Sequence, residues 1–158
     1  MCETGRLLYM LARACKAQTI IEFGTSFGFS SLHLAAALRD NGGGQLISTE
    51  LEPAKAARAR NNLSAADLLD LVEIREGDAL QTLSSSLPDA IDLVPLDGAK
   101  GLYAEILGLL EPRLRVGAQI VADDANASSE YLAYARAPES GYLSYSLAGG
   151  VELSVRLG

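Results

Sequence analysis

Short apolar segments alternate with helical patterns along most of the chain, and this alternation constrains the fold more than any other feature. Each strand-like run of β-branched and aliphatic residues is followed by a turn or by a stretch with helical periodicity. The strand-like runs are TIIEF (19–23), QLIST (45–49), LVEIR (71–75), IDLVPLD (91–97) and AQIVAD (118–123). Strands that alternate with helices form a mostly parallel sheet with helices on both faces, so the sequence predicts an α/β fold.

The last part of the chain follows a different pattern. Two runs of alternating apolar and polar residues, 143–147 and 151–157, flank the pair Gly149-Gly150. This pattern predicts an antiparallel β-hairpin with one solvated face. With the five preceding strands, the hairpin makes a seven-stranded sheet. The length of 158 residues predicts a single domain over residues 1–158.

Composition narrows the classes of partner. The formal net charge is −7 and the sequence contains no tryptophan. An acidic chain is not attracted to a phosphate backbone and sparse aromatic residues offer no stacking platform, so we expect no nucleic-acid partner. The apolar run LLYMLARAC (7–15) is too short to span a bilayer, and Glu3 precedes it instead of a basic leader. We therefore expect a cytoplasmic protein without a membrane partner.

A glycine-rich turn, within IIEFGTSFGFSS (20–31), follows the first predicted strand. Gly24, Ser26 and Gly28 fit the G-x-S-x-G motif of serine hydrolases. However, the single histidine, His33, lies on the helix that the turn opens, so a catalytic triad is disfavoured. Ser26 also replaces the second glycine of a dinucleotide-binding turn, and the third glycine is missing. The turn therefore favours a cofactor without phosphates, such as S-adenosylmethionine.

A carboxylate at the end of a neighbouring strand would complete such a site. Glu50 closes the second predicted strand, and its two oxygens can accept both hydroxyl hydrogens of a ribose. Ligands of parallel α/β sheets bind at the carboxyl ends of the strands, where Glu50 and the glycine turn are both expected. The alternative role for Glu50 is that of a solvated acid at a strand end.

Taken in order, these segments resemble class I S-adenosylmethionine-dependent methyltransferases, and more narrowly the catechol and caffeoyl-CoA O-methyltransferase group. The resemblance extends from about Gly5 to Leu157. The matching segments are EFGTSFGFSS, STELEPAKAARARNNL, REGDAL, LDGAK and VADDAN. The resemblance implies a Rossmann-like methyltransferase fold in one S-adenosylmethionine-dependent domain. It also implies methyl transfer to a hydroxyl of a small, catechol-like acceptor.

The same resemblance implies roles for individual residues. Lys100 would act near the acceptor hydroxyl, together with Asp97. Asp97, Asp123 and Asp124 would hold Mg²⁺ or another divalent cation, for which oxygen ligands at two adjacent strand ends are suited. The residues implied around the cofactor are Glu22, Gly24, Ser26, Gly28, Ser30, Glu50, Leu51, Asp78, Ala79 and Asp97.

The sequence departs from the group at four places. Group members carry several dozen residues before this start, which form capping helices and often support dimerisation. The resemblance therefore implies a missing N-terminal cap, and a homodimer among the partners. Asp124 stands where the group has asparagine, and Gly98-Ala99 replaces a pair that usually carries an aromatic ring against the adenine. Pro95 lies inside the fourth predicted strand, where the loss of a ladder donor predicts a bulge or a displaced strand end.

Three functions stay open at this point. The first is O-methyl transfer to a small molecule. The second is a cofactor-binding domain or fragment of the same fold that does not turn over. The third, an NAD-dependent oxidoreductase, is disfavoured by Ser26 and by the absence of a substrate domain from the sequence.

Overall fold

A seven-stranded sheet forms the centre of the computed structural model, which describes residues 2–158. The strands are β1 Thr19–Phe23, β2 Gln45–Glu50, β3 Val72–Glu76, β4 Ile91–Leu96, β5 Leu114–Ala122, β6 Tyr142–Ser146 and β7 Glu152–Arg156. Their order across the sheet is β3-β2-β1-β4-β5-β7-β6. The first five pair in parallel, whereas β7 pairs antiparallel with both β5 and β6. The predicted α/β class, mostly parallel sheet and C-terminal hairpin are confirmed.

Helices cover both faces of this sheet. They are α1 Cys2–Ala14, α2 Phe29–Asp40, α3 Pro53–Ala65, α4 Ala79–Thr82, α5 Tyr103–Leu110 and α6 Ser129–Arg136. Leu8 of α1 and Leu34 of α2 belong to the core on one face, and Leu83 after α4 and Ile106 of α5 belong to the core on the other. Within residues 2–158, no helix has the length and apolar character that crossing a membrane requires.

Helix α4 is the one helix that the sequence pattern did not predict. Its four residues are too few to show a helical period. The side chain of Asp78 caps its N-terminus by accepting a hydrogen bond from the backbone N–H of Leu80 at 2.9 Å. The parallel pairing of β2 with β3 places the turn after β3 next to the end of β2, where the backbone N–H of Gly77 donates to the carbonyl of Glu50.

Pro95 does not displace the carboxyl end of β4. It pairs with Val121 of β5, so it lies within a central strand. Beyond it, the backbone N–H of Asp97 still donates to the carbonyl of Phe23 in β1, at 2.8 Å. The register irregularity between β4 and β5 lies at the opposite end of the strand, between residues 91 and 93. The end of β4 that carries Asp97 therefore stays aligned with its neighbours.

The hairpin turns its polar side chains inward, which its alternating sequence does not indicate. Glu152 and Ser154 of β7 are each 1% exposed, whereas Leu143 and Tyr145 of β6 are 65% and 72% exposed. The guanidinium of Arg136 in α6 donates two hydrogen bonds of 2.8 Å to the carboxylate of Glu152. On the opposite face the apolar side chains of β6 are solvated, whereas Leu153 of β7 is half-buried and packs against the core. Helix α6 covers the face that carries Glu152, and its Arg136 supplies the positive charge that offsets the free-energy cost of burying this carboxylate.

Candidate functional site

The carboxyl ends of β1, β2 and β4 surround a cavity of about 580 Å³, here called the main cavity. Its position at this edge is where parallel α/β sheets bind their ligands. Its volume lies within the roughly 300–1,000 Å³ that is usual for small-molecule sites. Seven of the ten residues implied around a cofactor line it: Gly24, Ser26, Glu50, Leu51, Asp78, Ala79 and Asp97.

The turn between β1 and α2 depends on two glycines. Gly24 has φ +100°, and a Cβ there would lie 2.7 Å from the carbonyl oxygen of Asp97. Gly28 has φ +86°, and a Cβ there would lie 3.1 Å from the Cβ of Ala59 in α3. Side chains at these positions would separate β1 from β4 and α2 from α3. Gly28 thus has a packing role and lies outside the lining of the main cavity.

Glu50 connects the end of β2 with this turn. Its Oε2 accepts a hydrogen bond from the backbone N–H of Ser26 at 2.7 Å, and its Oε1 accepts one from that of Glu52 at 3.0 Å. The first bond stabilises Ser26 in the left-handed region, at φ +49°, which non-glycine residues seldom adopt. Each carboxylate oxygen keeps a further lone pair for a ligand.

Glu22 and Ser30 form a buried network beside the main cavity. The carboxylate of Glu22 accepts hydrogen bonds from the hydroxyls of Ser30, Ser31 and Ser48. Burial raises the pKa of Glu22, and the three hydroxyl donors act against that rise. Glu22 therefore connects β1 with β2 and with the first turn of α2, and it does not line the main cavity.

A second cavity, of about 300 Å³, lies between the glycine turn and the start of α1. Phe27 and Phe29, both exposed aromatic residues, line it together with Asp97 and Asp123. Ser30 lines it as well. Because Asp97 lines both cavities, it marks their junction.

Lys100 is held next to Asp97. Its Nζ donates hydrogen bonds to Oδ1 of Asp97 at 3.1 Å and to the hydroxyl of Tyr103 at 2.9 Å. That hydroxyl in turn contacts the backbone carbonyls of Leu96 at 2.8 Å and Asp123 at 2.9 Å. Sequence reasoning missed Tyr103. The only available signal was its spacing of three residues from Lys100 at the start of a helix.

The three carboxylates implied as metal ligands lie at the ends of β4 and β5. Burial raises the pKa of Asp123, and the negative charges of Asp97 and Asp124 raise it further. Asp124 is exposed and adopts φ +48°. Across residues 2–158, no three Asp, Glu, His or Cys side chains are arranged to hold a metal ion. In this conformation the donor set does not fit one.

His33 takes part in helix packing. A Cβ at Gly5 of α1 would lie 2.6 Å from its ring, so the two helices meet there. Its Nδ1 lies 2.8 Å from the carbonyl oxygen of Phe29. In the part of the chain that the structure describes, no hydrogen bond joins His33 to Ser26, so a hydrolase dyad is not formed.

The arrangement of turn, strand ends and cavities agrees with comparisons to known proteins. A family profile described as "Methyltransferase domain" matches residues 21–125. The chain belongs to this methyltransferase family. The match runs from β1 through β5, so it includes the glycine turn, Glu50 and the segment around Asp97.

Two curated relatives of this methyltransferase domain are catechol O-methyltransferases. It is 36% identical over 123 residues to a catechol O-methyltransferase of Niastella koreensis, covering 76% of this chain and 55% of that protein. It is 34% identical over 122 residues to a catechol O-methyltransferase of Mycobacterium tuberculosis, covering 77% and 54%. The chain thus spans about half the length of the curated relatives that it matches.

Solved structures share the fold of the methyltransferase domain. The O-methyltransferase TomG from Streptomyces achromogenes, determined in complex with SAM, is 27% identical with a TM-score of 0.87, covering 100% of this chain and 81% of TomG. A methyltransferase from Geobacter sulfurreducens is 26% identical with a TM-score of 0.81, covering 99% and 79%. The resemblance to class I O-methyltransferases and the Rossmann-like methyltransferase fold are confirmed.

Proposed function

We propose that the chain binds S-adenosylmethionine and transfers its methyl group to a hydroxyl of a small acceptor. The observation that carries the proposal is the placement of Glu50. Two backbone N–H groups hold its carboxylate at the wall of a 580 Å³ cavity, beside the glycine turn. Relatives named catechol O-methyltransferase and the SAM complex of TomG support the same chemistry.

The main cavity offers a partner for each part of the cofactor. Glu50 would accept hydrogen bonds from the ribose hydroxyls through its free lone pairs, with Leu51 beside the sugar. Asp78 and Ala79, at the start of α4, would lie beside the adenine. Gly24 and Ser26 would hold the methionine part near the junction of the two cavities.

Ser30 would act on the methionine carboxylate indirectly. Its hydroxyl hydrogen is donated to Glu22, so it is not available for a second acceptor. The free backbone N–H groups at the N-terminus of α2, which Gly28 precedes, favour an anion at that place. By accepting the hydrogen bond from Ser30, Glu22 would hold the N-terminus of α2 in place beside the methionine carboxylate.

The acceptor would occupy the second cavity. Phe27 and Phe29 provide apolar surface for a small aromatic ring, and Asp97 and Asp123 provide acceptors for its hydroxyls. This combination favours a catechol-like molecule.

Lys100 would be the base. When bound, S-adenosylmethionine supplies an electrophilic methyl group, and the electron pair of the broken carbon–sulfur bond stays on sulfur as the acceptor oxygen takes the methyl. Lys100 in its neutral form would take the proton of the acceptor hydroxyl. Its Nζ contacts Asp97, which lines both cavities, so the base lies near the place where the two substrates would meet. The remaining contribution of the chain is proximity and orientation.

A divalent cation held by Asp97, Asp123 and Asp124 stays a prediction from the resemblance, because in this conformation the described side chains do not form a donor set for one. No step described above depends on it. Assembly as a homodimer, a cytoplasmic location and the assignment of residues 1–158 as one domain also remain predictions from the sequence.

Methyl transfer to a panel of catechols, measured as S-adenosylhomocysteine formed, tests the proposal. The assay is run with Mg²⁺ and with a chelator, on the wild-type protein and on Lys100→Met. We expect Lys100→Met to lose turnover and to keep its affinity for S-adenosylhomocysteine, because a base acts only in the transition state. Turnover that continues in the presence of the chelator would show that the reaction needs no divalent cation. Cofactor binding without turnover would favour the alternative of a binding domain, and binding of NAD alone would overturn the proposal.

A further inference from the structure

We propose that Tyr103 is a positioning residue, whose hydroxyl holds Lys100 in place and joins the strand ends that carry Asp97 and Asp123. The inference rests on the proposed methyl transfer, in which Lys100 is the base. It starts from three polar contacts of a single oxygen atom. They join it to the Nζ of Lys100 at 2.9 Å, and to the carbonyl oxygens of Leu96 at 2.8 Å and Asp123 at 2.9 Å.

The chemistry of the partners determines the direction of each bond. Both carbonyl oxygens are acceptors only, so the hydroxyl of Tyr103 shares its hydrogen between them. Its oxygen is then left to accept from the amine of Lys100. The amine is thus held from two sides, by the Tyr103 hydroxyl and by Oδ1 of Asp97.

The ring of Tyr103 cannot move to another position without disturbing the core. It is fully buried and makes edge-to-face contacts with Phe23, at 6.2 Å between centroids, and with Tyr131, at 5.9 Å. Phe23 ends β1 and lines the main cavity. Packing of the ring therefore fixes the position of the hydroxyl, and the hydroxyl in turn holds the amine of Lys100.

The two carbonyls belong to neighbouring strand ends. Leu96 is the last residue of β4, and Asp123 follows the last residue of β5. The backbone N–H of Asp123 also donates to the carbonyl of Leu96, at 2.9 Å. Tyr103 adds a second link at the same point, where the backbone turns to present Asp97 and Asp123. A shift of about 1 Å in a reacting group can lower a rate on the order of a hundredfold.

Tyr103→Phe removes this hydroxyl and keeps the ring, so it isolates the three contacts. We expect kcat to fall about tenfold to a hundredfold, while KM for S-adenosylmethionine and the affinity for S-adenosylhomocysteine change less than about twofold. The matched control is Tyr131→Phe. Tyr131 is also fully buried and belongs to the same aromatic stack, but its hydroxyl lies against Ser154, at 3.5 Å. We expect Tyr131→Phe to keep the kcat of the wild type.

Chemical labelling of Lys100 provides a readout that needs no turnover. Acetylation by an N-hydroxysuccinimide ester is followed at individual lysines by peptide mass spectrometry, with Lys55 as the internal reference. Loss of one of its two anchors should raise the acetylation rate of Lys100 several-fold in Tyr103→Phe. The rate should not change in Tyr131→Phe.

The outcomes separate this inference from the proposed function. If Lys100 is acetylated faster in Tyr103→Phe but not in Tyr131→Phe, while the wild-type protein never transfers a methyl group, the proposed function is contradicted and the positioning of Lys100 is supported. Unchanged kcat and unchanged Lys100 acetylation in Tyr103→Phe would overturn the inference. Equal losses in Tyr103→Phe and Tyr131→Phe would overturn it as well, because both would then reflect core packing alone.

Discussion

Replacing Glu50 by glutamine removes a negative charge from the main cavity and keeps the size of the side chain. In the wild-type protein the two carboxylate oxygens accept one backbone N–H each, from Ser26 at 2.7 Å and from Glu52 at 3.0 Å. An amide has a single acceptor oxygen, so one of these N–H groups would face an NH₂ donor. The same change therefore weakens the hydrogen bond that holds the glycine turn and the proposed hydrogen bonds to the ribose hydroxyls.

The expected loss follows from the hydrogen bonds involved. Bonds to a charged group contribute about 1.5–3 kcal/mol, so the affinity for S-adenosylhomocysteine should fall about tenfold to 150-fold. Isothermal titration calorimetry measures this directly. Glu52→Gln is the matched control, since it removes the same charge two residues away. The side chain of Glu52 is 61% exposed and pairs with Lys55 at 2.9 Å, so its loss should change the affinity less than about twofold.

Two results would refute this reasoning. If Glu50→Gln binds S-adenosylhomocysteine as tightly as the wild type, then Glu50 does not contact the cofactor. If Glu52→Gln loses as much affinity as Glu50→Gln, then the affinity depends on the total negative charge near the cavity and not on a direct contact between Glu50 and the cofactor. A thermal melt of each variant without ligand shows whether the turn itself stays folded.

Two further predictions concern stability. A Cβ at Gly24 would lie 2.7 Å from the carbonyl oxygen of Asp97, so Gly24→Ala should lower Tm by about 5–10 °C. The control is Gly42→Ala, which has a similar φ of +96° but no atom within 4 Å of the added Cβ, and it should lower Tm much less. Equal decreases in Tm would show that the backbone conformation alone determines the loss of stability. The hydrogen bond from Arg136 holds the pKa of Glu152 below its usual value, so this carboxylate stabilises the fold above the unfolded pKa of about 4.3 and ceases to do so as the pH falls through the folded value. Glu152→Gln should therefore lower Tm near neutral pH, and its difference from the wild type should shrink in acid; a pH-independent difference would contradict this role.

The sequence by itself determined the fold class and much of the candidate site. Hydrophobic patterning is a local property, and it is visible in the run of β4, which is apolar except for Asp92, because helices cover both faces of a central parallel strand. Parallel strands end at one edge of a sheet, so residues at or directly after the ends of β1, β2 and β4 could be expected to meet. Gly24, Glu50 and Asp97 do meet there, around the main cavity.

Only the tertiary structure decided which partners these side chains have. The alternation in the hairpin defines two faces, but the helix that covers one of them, and so buries Glu152 against Arg136, lies 16 residues away in the chain. In the same way, the tie between Tyr103 and the carbonyl of Asp123 joins residues 20 positions apart. A local pattern records which side of an element is apolar. It does not record which charge or hydroxyl the folded chain brings against it, because that depends on how distant elements pack.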